Sequence, residues 1–425
     1  MTTLLKSVLI FDSTSNFYKK KVDLRINDGC LQAIAESLPA KANDEVIEGK
    51  DLAFIPGLTD LRVHSTLPGG EQKENWQSLT SAARSGGIRA IQLLPTGNPV
   101  PQTVEHIKFI ASQGKQYGME IIPLAPLTID NKGENFTDLI DLFQGGARGF
   151  SHGDGSLQNT DLFLKCLQYL MTQPVIVYTQ PDTSGLSLFG QIHEGLQSTL
   201  TGLKGIPTLS ETLAIKRDID LLEYVMSHSF GNLNENFGLH FYCISSEESV
   251  ELIRAAKAKK LPITCSVAAH QLIFDESTVE TFDTNTKVFP PYRTKEDRLA
   301  LIQGVLDGVI DAIVSDHHAI EIEAKEVEFD HASFGIIGLQ TLLQASLEAF
   351  KSKDLPKIIK ALVDTPNSLI GLKPQSLTLH ERVCGSIVDL QQKSTFTLQQ
   401  IKSLSKNTGF LNYTFKSSII NVYPS

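Results

Sequence analysis

Side chains that can bind metal ions or transfer protons stand at the ends of short apolar runs in this 425-residue sequence. Each run has the length of a β-strand. Imidazole, thiol, phenol and carboxyl groups are the ones that serve as ligands, acids and bases in enzymes. We therefore expect any chemistry of the chain at these strand ends. The residues concerned are His64, Thr96, His152, Tyr178, Cys243, His270, Asp316 and His317.

Several of these side chains have simpler interpretations. No strand-turn-helix nucleophile elbow accompanies Asp316 and His317, which disfavours nucleophilic hydrolysis, and neither a P-loop nor a GxGxxG motif is present. His317 and His318 are neighbours at a strand end, so their side chains point in opposite directions and are not expected to share a ligand role. His240 is interpreted as a hydrogen-bonded core histidine, and Cys243 as a small buried apolar residue.

The elements that position these residues alternate between strand and helix. Eight short apolar runs are separated by amphipathic stretches, and Ser246 followed by two glutamates is a typical helix start. This alternation predicts a (β/α)8 TIM-type barrel over residues 55–371, with its site at the carboxyl ends of the strands. Residues 316–334 show no helical pattern and are expected to form a long loop. The predicted helices include residues 104–117, 161–172, 210–227, 246–259 and 295–308.

The two ends of the chain have a different pattern. Both are rich in short strand-like segments separated by turns, such as Asn27-Asp28-Gly29. We expect them to build one small β-sandwich domain, discontinuous in sequence, from residues 1–54 and 372–425.

Composition limits the partners and the compartment. Lys and Arg number 38 against 48 Asp and Glu, a formal net charge of −10, which disfavours nucleic acid as a partner. The five cysteines are widely spaced and form no CxxC motif, which excludes a disulfide framework and fits a reducing cytosol. No apolar run reaches about 18 residues and no signal peptide opens the sequence, so we expect a cytoplasmic protein without membrane contact.

Six segments in order resemble the dihydroorotases of the amidohydrolase superfamily, over nearly the whole chain. The resemblance implies the barrel already predicted, a zinc-activated water, and a cationic seat for the substrate carboxylate. The segments are residues 56–64 (PGLTDLRVH, similar to PGxxDxHxH), 94–99 (LPTGNP, similar to MPNTNP), 283–293 (DTNTKVFPPYR, similar to DTNFKVNPPLR), 312–317 (AIVSDH, similar to AIATDH), 329–339 (FDHASFGIIGL, similar to FDEAPFGIVGL) and 405–410 (SKNTGF, similar to SKxNTPF).

The metal ligands implied by the resemblance are largely replaced. The first-strand histidine pair contains Arg62, and a guanidinium cannot ligate a metal because it has no free lone pair. The aspartate of the fourth strand falls on His152, with a shift onto Asp154 as the alternative alignment. Tyr178 stands at the fifth-strand histidine and Cys243 at the sixth-strand histidine. Zinc binding is therefore expected to be lost.

The substrate-binding positions differ as well. Thr66 replaces the arginine and Thr96 the asparagine that would hold the substrate carboxylate, and Phe289 replaces a second asparagine. Among the usual ligands only His64 and Asp316 are in place. We regard these two as vestigial.

Loss of a cation would leave Asp316 without its counter-charge. A buried carboxylate without a partner is costly, and Arg62 on the first strand neighbours the eighth strand across the barrel closure. We expect Arg62 to pair with Asp316 and to replace the metal electrostatically.

These departures predict a pseudoenzyme, a dihydroorotase-like chain that is not an enzyme. The resemblance implies the structural companion of an aspartate transcarbamoylase catalytic chain in pyrimidine biosynthesis, a homo-oligomer within a larger hetero-oligomer. The expected contact surface is the barrel mouth with the acidic segment 316–334. One alternative is an active cyclic amidohydrolase with a metal site rebuilt from His64, His152, Cys243 and Asp316. The other is a sensor that binds a small ligand in the old pocket.

Overall fold

A computed structural model describes residues 2–48, 51–229, 231–375 and 377–423 of the chain. Residues 1 and 425, the outer limits of the predicted terminal domain, lie outside these described residues. Five strands open the chain and pair with one another at the start of a larger sheet. They are β1 Thr2–Ile10, β2 Lys21–Asn27, β3 Cys30–Ala35, β4 Asp44–Glu48 and β5 Leu52–Pro56.

The middle of the chain supplies the strands of the barrel. Each of these pairs in parallel with its neighbour, as the alternation of strand and helix requires. The strands are β6 Leu58–His64, β7 Ile88–Leu93, β8 Glu120–Pro123, β9 Ala125–Pro126, β10 Gly149–Ser151 and β11 Ile176–Thr179, followed after a short β12 Ile192–His193 and β13 Gly205–Ile206 by β14 Gly238–Phe241, β15 Ile263–Ala268, β16 Ala312–Val314 and β17 His317–His318.

Two of the eight barrel strands are interrupted. Strands β8 and β9 are separated only by Leu124, and β16 and β17 only by Ser315 and Asp316. The barrel closes where β17 pairs with β6, with His317 opposite Val63. At the other interrupted strand, β9 pairs with β10. The predicted (β/α)8 barrel is therefore confirmed, and Asp316 lies at the break in its eighth strand.

Helices cover the barrel and agree with the sequence pattern. The N-terminus of α8 is capped as predicted, because the Ser246 side chain accepts a hydrogen bond from the backbone N–H of Ser249. The helices are α1 Trp76–Ser85, α2 Val104–Tyr117, α3 Leu139–Gln144, α4 Thr160–Leu170, α5 Ser184–Ser187, α6 Leu196–Thr201, α7 Thr208–Ser227, α8 Glu247–Ala258, α9 Lys295–Asp307, α10 Leu342–Ala349, α11 Leu355–Ile359 and α12 Thr365–Leu369.

An insertion separates the fifth barrel strand from its helix. Between β11 and α7 the chain forms α5, β12, α6 and β13; among the strands that the structure describes, β12 and β13 pair only with each other. The sequence pattern did not identify these elements, because each has six residues or fewer. No helix among the described residues has the length and apolar character needed to cross a bilayer.

The end of the chain returns to the first sheet. Strand β18 (Gly385–Asp389) pairs antiparallel with β5, and β21 (Ser418–Tyr423) pairs with β18; β19 (Ser394–Thr395) and β20 (Thr414–Phe415) form a separate small ribbon. Both termini thus contribute to one seven-stranded sheet. This sheet has its own buried apolar cluster, which includes Leu5, Ile10 and Ile387.

A further buried cluster fills the barrel interior. It contains side chains from several barrel strands, among them Leu61, Leu124, Tyr178, Tyr242 and Cys243. Inward-facing side chains fill a barrel of this size, so its interior is a packed core. Tyr178 and Cys243, predicted at former ligand positions, therefore also contribute to the packing beneath the mouth.

Candidate functional site

Arg62 and Asp316 meet inside the barrel mouth. Arg62 Nε donates a hydrogen bond to Asp316 Oδ1 at 2.7 Å, and His270 Nε2 lies 3.5 Å from Asp316 Oδ2. Burial opposes ionisation of Asp316, but Arg62 and His270 hold its pKa below the ordinary value. Burial also opposes the charge on Arg62, but the attraction of Asp316 raises the pKa of the guanidinium. The predicted ion pair is present, and both of its members are charged.

The guanidinium of Arg62 is only partly engaged. Its central carbon lies 5.0 Å from the centre of the Tyr242 ring, a cation–π contact. Its Nη1 atom is buried and has no hydrogen-bond partner among the described residues. A buried donor of this kind is costly unless a water or ligand accepts from it. Arg62 therefore has a donor available for a molecule in the mouth.

Asp316 and Cys243 share an unusual backbone conformation. Both have positive φ angles, +51° and +46°, each at the end of its barrel strand. Non-glycine residues in this region carry strain that is often found at functional sites. Burial, and then the charge of Asp316, raise the pKa of the Cys243 thiol well above its usual value. Cys243 is thus a neutral, fully buried thiol beside the carboxylate.

Tyr178 is packed below this ion pair. Its ring stacks on Tyr242 with centroids 5.1 Å apart, and its hydroxyl accepts a hydrogen bond from Gln92 Nε2 at 3.3 Å. Tyr242 donates to the carbonyl of Leu61 at 2.9 Å. Burial raises the pKa of both phenols. These tyrosines close the inner part of the mouth.

Potential metal ligands converge nearer the rim. One donor atom from each of His64, Asp154 and His318 lies within 4.8 Å of the other two. The His64 and His318 rings stack with centroids 3.5 Å apart, and His64 Nε2 lies 3.4 Å from Asp154 Oδ2. Desolvation in the mouth opposes ionisation of Asp154 even though its side chain is 54% exposed, yet the neighbouring His64 lowers its pKa. Burial, together with His64, lowers the pKa of His318 well below its usual value.

The choice between His152 and Asp154 is decided by the turn that contains them. His152 Nδ1 lies 3.1 Å from Thr128 Oγ1, outside the rim cluster. Gly153, with φ +61°, reverses the chain between the two residues. Asp154 therefore faces His64, whereas His152 faces Thr128. The rebuilt set of His64, His152, Cys243 and Asp316 does not converge on a common point among the described residues.

His317 and His318 point apart, as expected for neighbours on a strand. His317 Nε2 lies 3.4 Å from Glu74 Oε2, in a buried network that also contains Ser403. The two histidines therefore share no ligand role, as expected, but His318 by itself lies with His64 and Asp154. The sequence analysis did not name His318 as a candidate ligand.

The position of His318 depends on the segment that follows it. Asn407 Nδ2 donates to the carbonyls of His318 and Gly335, at 2.9 and 3.1 Å. Gly335 has φ +138°, and a Cβ there would lie 3.0 Å from the His318 ring. Motifs 329–339 and 405–410 thus support the rim cluster, a role that sequence reasoning did not assign to them.

The former substrate positions do not offer free donors to the mouth. The hydroxyl of Thr66 donates to the carbonyl of Gly70 at 3.3 Å, and that of Thr96 to the carbonyl of Ser65 at 2.8 Å. Phe289 contacts Phe334 edge to face, with centroids 5.8 Å apart. The resulting cavity has a volume of about 250 Å³. It is lined by Arg62, His64, Asp154, Phe289, Asp316, His318, Phe334 and Gly335.

The donor chemistry of the rim suits one divalent cation. Two imidazoles and one carboxylate are the protein ligands of several catalytic zinc sites, which keep another position open for water. A second cation does not fit, because Arg62 places a permanent positive charge beside Asp316. The predicted loss of the zinc site stays a prediction. The donors that come together are His64, Asp154 and His318, and not the set of His64, His152, Cys243 and Asp316 named in the alternative.

Comparison with known proteins gives the family. A dihydro-orotase-like family model matches residues 52–232. The dihydroorotase of Geotalea daltonii is 31% identical over 97% of this chain and 95% of its own length, and that of Bacillus subtilis is 31% identical over 96% and 94%. Among solved structures, the L-hydantoinase (dihydropyrimidinase) of Arthrobacter aurescens covers the whole chain and 96% of its own length with TM-score 0.78 at 19% identity, which shows the shared fold.

The comparisons also correct the sequence analysis. The prediction that the chain is not an enzyme is wrong, because its relatives over nearly the full length are dihydroorotases, which are enzymes. That prediction counted replaced ligands position by position, and a donor from a neighbouring position escapes such a count. With its barrel, its ordered motifs and relatives of this similarity, the chain belongs to the dihydroorotase-like family of the amidohydrolase superfamily.

Proposed function

We propose that this chain is a cyclic amidohydrolase of pyrimidine metabolism, an enzyme that opens or closes an amide bond within a ring. One observation carries the proposal. The donor atoms of His64, Asp154 and His318 converge in the same cavity as the ionised Asp316. A cation-binding group beside a carboxylate that can accept a proton is the arrangement needed for metal-assisted hydrolysis.

The residues of the chain then have separate roles. His64, Asp154 and His318 would hold the cation, which when bound polarises a carbonyl and lowers the pKa of bound water. Asp316 accepts a proton in the cavity, while Arg62 and His270 fix the orientation of its carboxylate. The unpartnered Nη1 of Arg62 can donate to the oxygen of the ring amide, where negative charge develops.

Metal binding provides a test that is independent of turnover. Protein purified without chelators should contain close to one equivalent of zinc or another divalent cation, measured by elemental analysis. Titration calorimetry of the chelator-treated protein should show binding that weakens at least about tenfold in His318→Ala. His152→Ala is the matched control, because His152 lies near the mouth but bonds to Thr128. Equal cation affinity in both variants contradicts the proposed ligand set.

As a second function, we propose that the chain assembles with the catalytic chain of aspartate transcarbamoylase in the cytoplasm. The insertion after β11 supports a protein contact at this surface, since residues 184–202 contain a single charged residue, Glu194. Apolar side chains that are more than half exposed mark interaction surfaces when they cluster. Here they are Leu188 at 54%, Phe189 at 73%, Leu196 at 66%, Leu200 at 69% and Leu209 at 52%.

Co-expression tests this assembly. The chain and the transcarbamoylase of the same organism should co-elute from size exclusion as one high-mass species. Leu196→Glu with Leu200→Glu should separate them, whereas Leu299→Glu, an equally polar change at a leucine that is 50% exposed on α9, should not. Separate elution of the wild-type proteins at micromolar concentration and low salt contradicts the assembly. If the acidic residues Glu323 and Glu326 also contact the partner, the assembly should weaken as the salt concentration rises.

A further inference from the structure

The described lining of the cavity has no free cationic side chain for a substrate carboxylate. Among the described residues that line it, Arg62 is the one side chain with a permanent positive charge, and its Nε already binds Asp316. Asp316 already pairs with Arg62, and Asp154 belongs to the proposed cation site, so neither leaves a free cationic seat for a substrate carboxylate. A substrate carboxylate placed in this cavity would lose its hydration without gaining a bidentate cationic partner.

Neighbouring groups do not replace that partner. The Lys287 ammonium is buried, donates to the carbonyls of Phe329 and Asp330 at 2.7 and 3.1 Å, and lies 4.9 Å from the centre of the Phe334 ring. Two of its three donors are therefore engaged by backbone carbonyls, and the ammonium also lies against an aromatic ring. The hydroxyls of Thr66 and Thr96 are likewise bonded to backbone carbonyls.

The remaining wall is apolar. Phe289 and Phe334 are half-buried and meet edge to face, so they present aromatic carbon to the cavity. Aromatic walls favour an uncharged ring or an apolar substituent. The polar groups, by contrast, are gathered around Arg62 Nη1, Asp316 and the rim cluster, where a ring amide could be held.

Because the cavity has an aromatic wall on one side and polar groups on the other, we propose that the substrate is a neutral cyclic ureide or imide. It would carry hydrogen or an apolar group where dihydroorotate has its carboxylate. The ring opening in this proposal rests on the proposed function. The preference for binding a neutral ring does not, and it can be measured without turnover. The ring amide faces Arg62 Nη1 and Asp316, and the uncharged edge of the ring packs on Phe289 and Phe334. In the opening direction, water adds to the ring carbonyl, the C–N bond breaks, and the released nitrogen takes up a proton, giving a ureido or amide acid.

Two probes that differ only in the carboxylate test this inference. Titration calorimetry of the protein as purified should show dihydrouracil binding at least about tenfold more tightly than dihydroorotate. Ring opening of both probes is followed separately by chromatography. Tighter neutral binding without turnover supports the substrate class and contradicts the proposed catalysis. Equal binding, tighter binding of dihydroorotate, or binding of neither probe overturns the substrate class.

Variants sharpen the result. Thr66→Arg combined with Phe289→Asn restores the residues that the dihydroorotase motifs carry, and should shift the preference toward dihydroorotate by about tenfold or more. Phe136→Asn is the control, since Phe136 is a partly exposed aromatic residue that contacts Tyr169 and is not part of the cavity. Circular dichroism confirms that each variant is folded. A double variant that is folded and keeps the wild-type preference contradicts the role of these two positions.

Discussion

The inner and outer parts of the barrel mouth are built from the same strands but have different chemistry. In the inner part, Tyr178, Tyr242 and Cys243 are fully buried and pack around the Arg62–Asp316 ion pair. In the outer part, His64 is partly buried and Asp154 is exposed, and their donor atoms converge with that of His318. The comparison shows that the inner part is packed around an ion pair, whereas the rim presents a set of donors.

Arg62 explains why the two parts are separate. A guanidinium carries a fixed charge and repels a cation at close range. It also neutralises Asp316, which would otherwise be a buried carboxylate without a partner. Any cation is therefore expected on the side of His64 that faces Asp154, away from Arg62.

The largest expected difference between the two parts concerns their ion pairs. Asp316→Ala should lower the free energy of unfolding by about 3–5 kcal/mol, because it leaves the buried Arg62 guanidinium uncompensated. Asp154→Ala removes a carboxylate whose side chain is 54% exposed and should cost at most about 1 kcal/mol. Urea denaturation of both variants measures the difference. Similar losses would mean that the inner and outer parts are equally solvated.

The inner part should also be sensitive to acid, because His240 packs against Tyr178. His240 is buried between Thr264 and Ser266, at 2.8 and 3.0 Å, and burial, with smaller effects of Lys257 and Arg62, lowers its pKa to about 3. The unfolded chain binds this proton near pH 6.5 and the folded chain does not, so stability is lost as pH falls from 6.5 toward 3. Between pH 6.5 and 4 the loss should reach roughly 3 kcal/mol.

The control for acid sensitivity is a matched pair of variants. His240→Asn should be less stable at pH 7 but show a flatter pH dependence of unfolding, whereas His228→Asn, at an exposed position on the surface, should follow the wild type. A pH dependence that is unchanged in His240→Asn would show that this histidine is solvated in the folded state.

The smallest expected effect tests the packing of the inner part. Tyr242→Phe removes the hydroxyl whose one proton is donated to the Leu61 carbonyl at 2.9 Å, with Gln92 Oε1 at 3.2 Å as a second, shared acceptor. Because buried acceptors then lose their donor, the change should cost about 1–2 kcal/mol. Tyr169→Phe, at a position that is 53% exposed, should change the free energy of unfolding by less than about 0.5 kcal/mol. Thermal unfolding measures both. Equal midpoints would contradict the description of the inner part as a closed, hydrogen-bonded core.

Much of the architecture follows from local sequence pattern. The change between strand and helix period indicates the barrel, and predicts α2 with both of its ends. The pairing of Arg62 with Asp316 also follows from sequence, since the first and last strands of a closed barrel are neighbours and a buried carboxylate requires a counter-charge. The hydrogen bonds of His240 to Thr264 and Ser266 confirm its interpretation as a hydrogen-bonded core histidine.

Tertiary structure decided which side chains meet at the rim. Sequence alone left His152 and Asp154 open, because the φ angle of +61° at Gly153 determines which of them turns toward His64. It did not single out His318, whose position depends on Gly335 and on the distant Asn407. Sequence thus determines which residue types stand at each strand end. Backbone reversal and long-range contacts determine where their donor atoms lie, and a count of aligned positions does not contain that information.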